Sequence, residues 1–177
     1  MPPESGQTAV VVPVPAAEPL VAPWRARLDP SAAQGMPAHV TALHPFVPAT
    51  DRVVAELRAL CAARPVLDVR FARTARFPGV LHLVPEPADG LRRLTLAIAE
   101  RWPEAPPYGG AFEEVIPHLT VALGDHPGEV EAELRRGLPF AARLTEACLY
   151  EFDGSRWIAR ERLPFRAASR RPGPSSP

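Results

Sequence analysis

Lysine is absent from this chain, and all 20 of its basic residues are arginine. Without an ε-amine the protein cannot form a Schiff base or a lysyl-nucleotide intermediate, and it has no phosphate-loop lysine. The composition therefore excludes an ATP-dependent ligase that works through a lysine adduct.

Cysteine is nearly absent. The two cysteines, Cys61 and Cys148, are far apart in the sequence, and neither belongs to a Cys-x-x-Cys pair. This spacing favours neither a zinc site nor a disulfide framework. We expect two buried structural thiols.

The chain also lacks an excess of charge and a long apolar run. The formal net charge is zero and the pI is near 7.0, which disfavours a broad electrostatic grip on long nucleic acid. No stretch approaches the roughly 18 apolar residues of a membrane helix, and the apolar N-terminal segment is interrupted by proline. With 46% hydrophobic and 23% charged residues, we expect a globular, cytoplasmic protein that does not bind membranes.

One short motif, His-x-Thr, is present twice. The copies are His39-Val40-Thr41 and His118-Leu119-Thr120, and their histidines lie 79 positions apart. Only seven residues of the chain are threonine, so one match at a given histidine has a chance of about 4%, and two matches among five histidines about 1–2%. The pair is therefore a far more specific signal than either copy.

The periodicity of the chain predicts a half-chain repeat in which a strand with the motif is followed by a helix and a hairpin. The predicted strands and extended pieces are 8–14, 20–28, 38–46, 66–75, 79–85, 118–123, 142–153 and 156–164, and the helices are 51–63, 87–101 and 128–138. The repeat predicts an α+β fold of two βαββ-type lobes, related by a pseudo-twofold axis that brings the motif strands face to face. We expect one bilobal domain over residues 8–166, a flexible N-terminus (1–7) and a disordered tail (167–177).

The motif residues suit acid–base chemistry on a phosphate ester. Residues i and i+2 of a strand share one face, so each histidine and its threonine point the same way. Because an imidazole titrates near pH ~6.5, one neutral histidine can accept a proton while a charged one donates. Threonine hydroxyls can donate hydrogen bonds to the phosphoryl oxygens. This chemistry needs no metal and no cofactor.

Other residues near the motifs are weaker candidates. Arg25 could pair with a phosphate, although an exposed salt bridge is the simpler interpretation. Tyr108 and Phe112, in the glycine-rich loop before the second motif, could stack on a base or only anchor the loop. His44 falls on the opposite face from the motif if its strand is regular, and His82 is typical of a hydrogen-bonded sheet histidine.

The paired motifs, each followed by a helix and a hairpin, resemble the two-histidine (2H) phosphoesterase superfamily, which includes proteins named 2′-5′ RNA ligases and cyclic nucleotide phosphodiesterases. The sequence PAHVTALHPF is especially similar to that of its bacterial ligase-like members. The resemblance extends over residues 8–165. It implies antiparallel sheets around a central cleft with the helices outside, no cofactor, His39 and His118 as catalytic acid and base, and Thr41 and Thr120 as the phosphate-binding residues.

The resemblance implies that the enzyme opens a 2′,3′-cyclic phosphate to a 2′-phosphate. Two alternatives are an ATP-independent 2′-5′ RNA ligase and a non-catalytic module that binds a nucleotide or an RNA end. Some ligase-type members carry an arginine shortly after the motif, where this chain has Leu43 and His44, then Leu123 and Gly124. This departure and the neutral net charge favour hydrolysis over ligation. We expect a monomer whose substrate is a small nucleotide or a short RNA terminus.

Overall fold

The structure is a computed structural model that describes residues 2–111 and 114–167. Its strands are β1 (Thr8–Pro13), β2 (His39–Phe46), β3 (Leu67–Phe77), β4 (Val80–Glu86), β5 (Leu119–Leu123), β6 (Phe140–Leu144), β7 (Glu146–Phe152) and β8 (Trp157–Pro164). Its helices are α1 (Glu18–Leu28), α2 (Pro30–Ala33), α3 (Asp51–Ala62), α4 (Asp89–Arg101) and α5 (Gly128–Gly137), with 3₁₀ turns at Pro15–Ala17 and Pro107–Gly110.

The strands form two four-stranded antiparallel sheets. The first has the order β2-β1-β7-β8 and the second β5-β4-β3-β6, so each motif strand is the edge strand of its own sheet. The predicted α+β class, with two antiparallel sheets in a repeated arrangement, is confirmed.

The two halves of the chain are interleaved between the sheets. The β3–β4 hairpin follows the first motif strand but pairs with the second one, β5. The β7–β8 hairpin follows the second motif strand but joins the sheet that holds β1 and β2. Each sheet therefore contains strands from both halves of the chain.

Residues 20–28, predicted as an extended piece, form the helix α1, and the prediction was wrong. The inward-facing residues are Leu20, Val21, Trp24, Arg25 and Leu28, and this spacing follows the 3.6-residue period of a helix instead of the alternation of a strand. The alternation through Val21, Pro23, Arg25 and Arg27 predicts an extended piece. Pro19 lies in the first helical turn, where proline is tolerated, and Pro23 costs one backbone hydrogen bond within the helix.

The predicted strand 142–153 is divided between the two sheets. β6 ends at Leu144 and pairs with β3, whereas β7 begins at Glu146 and pairs with β1. The closing hairpin around Asp153-Gly154 is confirmed, with Phe152 opposite Trp157. The tail after residue 167 lies outside the described residues, and near the N-terminus the Gly6 amide donates to the Phe152 carbonyl.

The first sheet has two apolar faces. On β1, Val10 and Val12 point into the main core, which also takes the inner faces of α1, α3, α4 and α5. Ala9 and Val11 point the other way, into a second cluster; its other members are Met36, Cys148, Tyr150, Phe152 and Trp157. This second cluster, referred to below as the aromatic cluster, lies on the face that carries the first motif.

Both cysteines are buried and free, as predicted. Burial raises the pKa of Cys61 to about 12 and that of Cys148 to about 11, so both thiols stay protonated at neutral pH. Within the described part of the chain, no helix has the length and apolar character needed to cross a bilayer.

A buried ion pair holds the segment that leads into the first motif. Arg25 Nη2 lies 2.9 Å from Asp29 Oδ2, and both side chains are almost fully buried. Asp29 also caps α2 by accepting from the Ser31 amide, and Arg25 Nη1 donates to the Met36 carbonyl. The pair therefore fixes the loop between α1 and β2.

Replacing Arg25 by methionine should lower the free energy of unfolding by about 3–5 kcal/mol, because it leaves the Asp29 carboxylate buried without its partner. Urea unfolding at pH 7 measures this. The control is Arg27→Met on the exposed side of the same helix, where only a cation–π contact with Trp24 is lost, at a cost below about 1 kcal/mol. Equal effects at the two positions would contradict a structural role for the pair.

Candidate active site

The two motif histidines are held in the same way. His39 Nδ1 is 2.7 Å from the Pro37 carbonyl oxygen, and His118 Nδ1 is 2.7 Å from the Ile116 carbonyl oxygen. A carbonyl can only accept a hydrogen bond, so each Nδ1 carries the proton and each Nε2 of the neutral ring keeps its lone pair. The carbonyl two residues before each histidine thus sets both the tautomer and the direction of the ring.

The two threonines line one cavity. His39, Thr41 and Thr120 all border a cavity of about 210 Å³ between the motif strands. Both hydroxyls are half-buried, and among the described residues neither has a hydrogen-bond partner. His118 lies close enough that a positive charge on its ring lowers the pKa of His39. The threonine hydroxyls of both motifs therefore face the same cavity, where they can donate hydrogen bonds to one ligand.

Each motif strand has an irregularity just after its threonine. On β2, Val11 pairs with Thr41 and Val10 with Leu43, so Ala42 is an extra residue. On β5 the same shift makes Val121 the extra residue. These are β-bulges, which change the side that the following residues face. The repeat of the bulge at the same motif position supports the pseudo-twofold relation.

The first bulge corrects the prediction for His44. A regular strand would turn this side chain away from the motif, whereas the bulge places it in the same cavity as His39 and Thr41. The ring packs edge-on against Trp157, with the centroids 5.7 Å apart. The equivalent residue after the second bulge is Leu123. A single strand pattern contains no signal for this shift.

His82 is a further residue of the site that sequence reasoning missed. It pairs with Thr120 across β4 and β5, its ring stacks on Phe77 at 4.2 Å, and it lies 5.2 Å from the His118 ring. It is a buried residue of β4, as predicted, and a hydrogen bond to the Val80 backbone acts on its pKa. The position that the sequence did not predict is its place beside the second motif.

Tyr108 reaches the second motif from the loop before it. Its hydroxyl donates to the Ile116 carbonyl at 3.1 Å, and that oxygen also accepts from His118. Tyr108 is the non-glycine residue with a positive φ, +53°, among the described residues, a backbone strain that is common at functional sites. Phe112, which was predicted to have the same role as Tyr108, lies outside the described residues.

Arg25 was also predicted to contact the substrate. Its Nε and Nη2 donate to Asp29 and its Nη1 to a main-chain carbonyl, all in a buried setting. The guanidinium still acts on the site electrostatically, because its positive charge helps to lower the pKa of His39. Arg25 therefore supports the loop before the first motif and does not line the cavity.

Four imidazoles lie at the site: His39 and His44 line the cavity, His118 belongs to the second motif, and His82 lies beside His118. Burial lowers the pKa of each below 6.5. The pKa of His39 falls to about 4, and that of His82 falls to about 4 with a further contribution from the charge of His118. The pKa values of His44 and His118 are lowered by the same loss of solvation. The imidazoles are therefore neutral at pH 7, and those of His39 and His118 keep an unprotonated Nε2.

Within residues 2–111 and 114–167, no group of three or more His, Cys, Asp or Glu side chains is arranged to hold a metal ion. Asp125 and His126 sit in a turn away from the motifs, where His126 Nε2 lies 2.9 Å from Arg76 Nη1.

The lowered pKa values predict that the protein loses stability in acid. Between pH 6.5 and about 4 the unfolded chain binds protons that the folded imidazoles do not, so the free energy of unfolding should fall as the pH decreases through this range. Urea unfolding at pH 7.5, 6 and 5 measures the slope, and NMR titration of His39 should give a pKa near 4. His39→Gln should flatten the slope and His126→Gln should not; identical slopes in both variants would refute this origin.

The comparisons with known proteins agree with this geometry. A family model described as the 2′-5′ RNA ligase superfamily matches residues 12–156, whereas no curated protein matches the chain. Apo LigT from E. coli is 18% identical with a TM-score of 0.57, over 93% of this chain and 99% of LigT. TT0787 from Thermus thermophilus is 16% identical with a TM-score of 0.57, over 92% of this chain and all of TT0787. These solved structures share the fold, and because the family model covers most of its length, the chain belongs to the 2′-5′ RNA ligase superfamily of two-histidine phosphoesterases.

Proposed function

We propose that the protein is a metal-independent phosphoesterase that hydrolyses the 2′,3′-cyclic phosphate of a nucleotide or RNA end to a 2′-phosphate. The observation that carries this proposal is the repeated arrangement of the motifs. Each supplies an imidazole with Nδ1 fixed on a carbonyl and, two residues later, a threonine directed at the shared cavity. Membership of the superfamily supports an enzyme of this general class.

In the proposed reaction, one neutral histidine removes a proton from a water molecule as its oxygen attacks the phosphorus. The bond between phosphorus and the 3′ oxygen breaks, and the protonated second histidine gives its proton to that leaving oxygen. The hydroxyls of Thr41 and Thr120 donate to the non-bridging oxygens, which carry the negative charge during transfer. The products are the 2′-phosphate and a free 3′ hydroxyl.

The substrate itself supplies the electrostatic condition for this step. Both motif histidines are neutral in the empty site at pH 7, because burial lowers the pKa of each. A phosphodiester anion placed between them favours the charged form of an imidazole and raises its pKa. Substrate binding therefore protonates one of the two, which then serves as the acid while its partner remains the base.

The size and charge of the site favour a small ligand. The cavity has a volume of about 210 Å³, and the chain has no net charge to attract long nucleic acid. LigT from E. coli, which shares the fold, has been crystallised with 3′-AMP, ATP and NADP⁺. A nucleotide in the corresponding cleft of this chain fits the proposal.

Replacing either His39 or His118 by alanine should lower the rate of 2′,3′-cyclic AMP hydrolysis by roughly 10²–10⁴-fold, because each variant loses one proton-transfer group. Chromatography measures the rate and separates 2′-AMP from 3′-AMP. The matched control is His126→Ala, which removes a histidine outside the cavity and should keep full activity. EDTA should leave the rate of the wild-type protein unchanged.

Each alternative function gives a different result in this experiment. Full activity of either motif variant, or strict dependence on a metal ion, would refute the proposed mechanism. Nucleotide binding without turnover over a broad panel would identify a binding module. Joining of a 2′,3′-cyclic end to a 5′ hydroxyl without ATP would identify a ligase that runs the same chemistry in reverse.

Thr41→Val and Thr120→Val preserve side-chain shape and remove only the hydroxyls. Each substitution should lower kcat by roughly 10²-fold, since a donor to the transferring phosphoryl group is lost, while the melting temperature stays within a few degrees of the wild-type value. Thr50→Val is the control, because Thr50 caps α3 away from the cavity; it should affect stability and leave kcat unchanged. A loss confined to stability in the motif variants would contradict their role on the phosphate.

A further inference from the structure

His44 is a polar side chain of the cavity whose counterpart in the other half of the fold is apolar. Because of the bulge at Ala42, the cavity face of β2 carries His39, Thr41 and His44 in succession. The cavity face of β5 ends in Leu123, which is 42% exposed. The two halves match at the histidine and threonine and diverge at this next position.

The surroundings of His44 are apolar. Ala9, Val11, Met36 and Trp157 line the cavity beside it, and all four are buried members of the aromatic cluster. Trp157 contacts the His44 ring edge-on and limits its rotation. The region beyond Thr41 therefore combines flat hydrophobic walls with a single held imidazole.

The Nε2 atom of His44 is buried and has no hydrogen-bond partner among the described residues. Most buried polar atoms in native proteins are hydrogen-bonded, and an unpaired one is unfavourable. Burial also lowers the pKa of His44, which keeps the ring neutral at pH 7 with one nitrogen that donates and one that accepts. Nδ1 is not enclosed in this way and makes no hydrogen bond with a described residue, so it is the ring nitrogen that can bind the uncharged polar edge of a ligand.

No carboxylate or guanidinium of the described residues competes for that position. The charged residue that lines the cavity, Asp29, is engaged with Arg25 and with the Ser31 amide and hydroxyl. The motif residues are thus the groups that can bind the charged part of a ligand, and the region around His44 can bind its uncharged part.

From this juxtaposition we infer that His44 is a specificity-determining residue, whose Nδ1 hydrogen-bonds the edge of a nucleobase held against Trp157 while the phosphate lies between the motifs. The inference rests on the proposed function and adds to it the residue that recognises the uncharged part of the substrate. Leu123 cannot make this bond, so the cleft binds the base at one end only, and the substrate enters in one orientation.

The experiment compares ligands with and without a base. Isothermal titration calorimetry gives the affinities of the four nucleoside 2′-monophosphates and of inorganic phosphate for the wild-type protein, His44→Leu and His44→Gln. We expect His44→Leu to lower the affinity for at least one nucleotide by roughly tenfold and to leave the affinity for phosphate within twofold of the wild-type value. His44→Gln retains a donor and an acceptor and should restore part of the lost affinity.

Kinetics with 2′,3′-cyclic nucleotides provide a second readout. His44→Leu should raise KM for the recognised base and leave kcat within about twofold, since the lost contact is remote from the reacting bonds. His126→Leu, the same change outside the cavity, should alter neither constant. If His44→Leu does not fold, the NMR shift of the His44 ring in the wild-type protein, compared between a nucleoside 2′-monophosphate and phosphate, tests the same contact.

Two results would overturn the inference. Unchanged affinity of His44→Leu for all four nucleotides would show that no base contacts His44, and equal weakening of phosphate and nucleotides would show that the residue acts on the phosphate site. Both require a wild-type protein that binds nucleotides. A wild-type protein that neither binds nor hydrolyses them would instead refute the proposed function, and the inference with it.

Discussion

The hydrogen bond from each motif imidazole to the carbonyl two residues before it is the interaction on which the site depends. It fixes the proton on Nδ1, leaves Nε2 free, and sets the direction of a ring that would otherwise rotate about two bonds. Each acceptor is supplied by a well-supported segment. The Arg25–Asp29 pair holds the loop that contains Pro37, and Tyr108 donates to the same Ile116 oxygen that His118 uses.

The fold turns this local geometry into a two-sided site. The motif strands are the edges of two separate sheets, and each sheet contains a hairpin from the opposite half of the chain. The β3–β4 hairpin pairs with β5, and the β7–β8 hairpin pairs with β1, the neighbour of β2. Because a bulge follows the threonine on each motif strand, the residue beyond the bulge can differ between the two halves while the motif keeps its geometry. This arrangement accounts for a cleft that is symmetric where phosphate chemistry requires two equivalent pairs, and asymmetric at His44 and Leu123.

The sequence was sufficient to predict the fold class and the closing hairpin. The role of the histidine–threonine pairs stays a prediction, which rests on a repeated motif at one place in a repeated half of the chain. The sequence was insufficient for α1, because the alternation through Val21, Pro23, Arg25 and Arg27 predicts extended chain, whereas the buried side chains follow the helical period. It also missed the positions of His44 and His82. The orientation of His44 depends on the bulge on β2, which no local pattern encodes. His82 reaches the second motif through the pairing of β4 with β5, two strands that are distant in the sequence.

The central claim is that both motifs contact one phosphate, and a crystal structure with a nucleoside 2′-monophosphate tests it most directly. We expect the phosphate between β2 and β5, with its oxygens about 2.7–3.2 Å from the hydroxyls of Thr41 and Thr120 and from Nε2 of His39 and His118. A phosphate that contacts one motif alone, or that lies outside this cleft, would contradict the account.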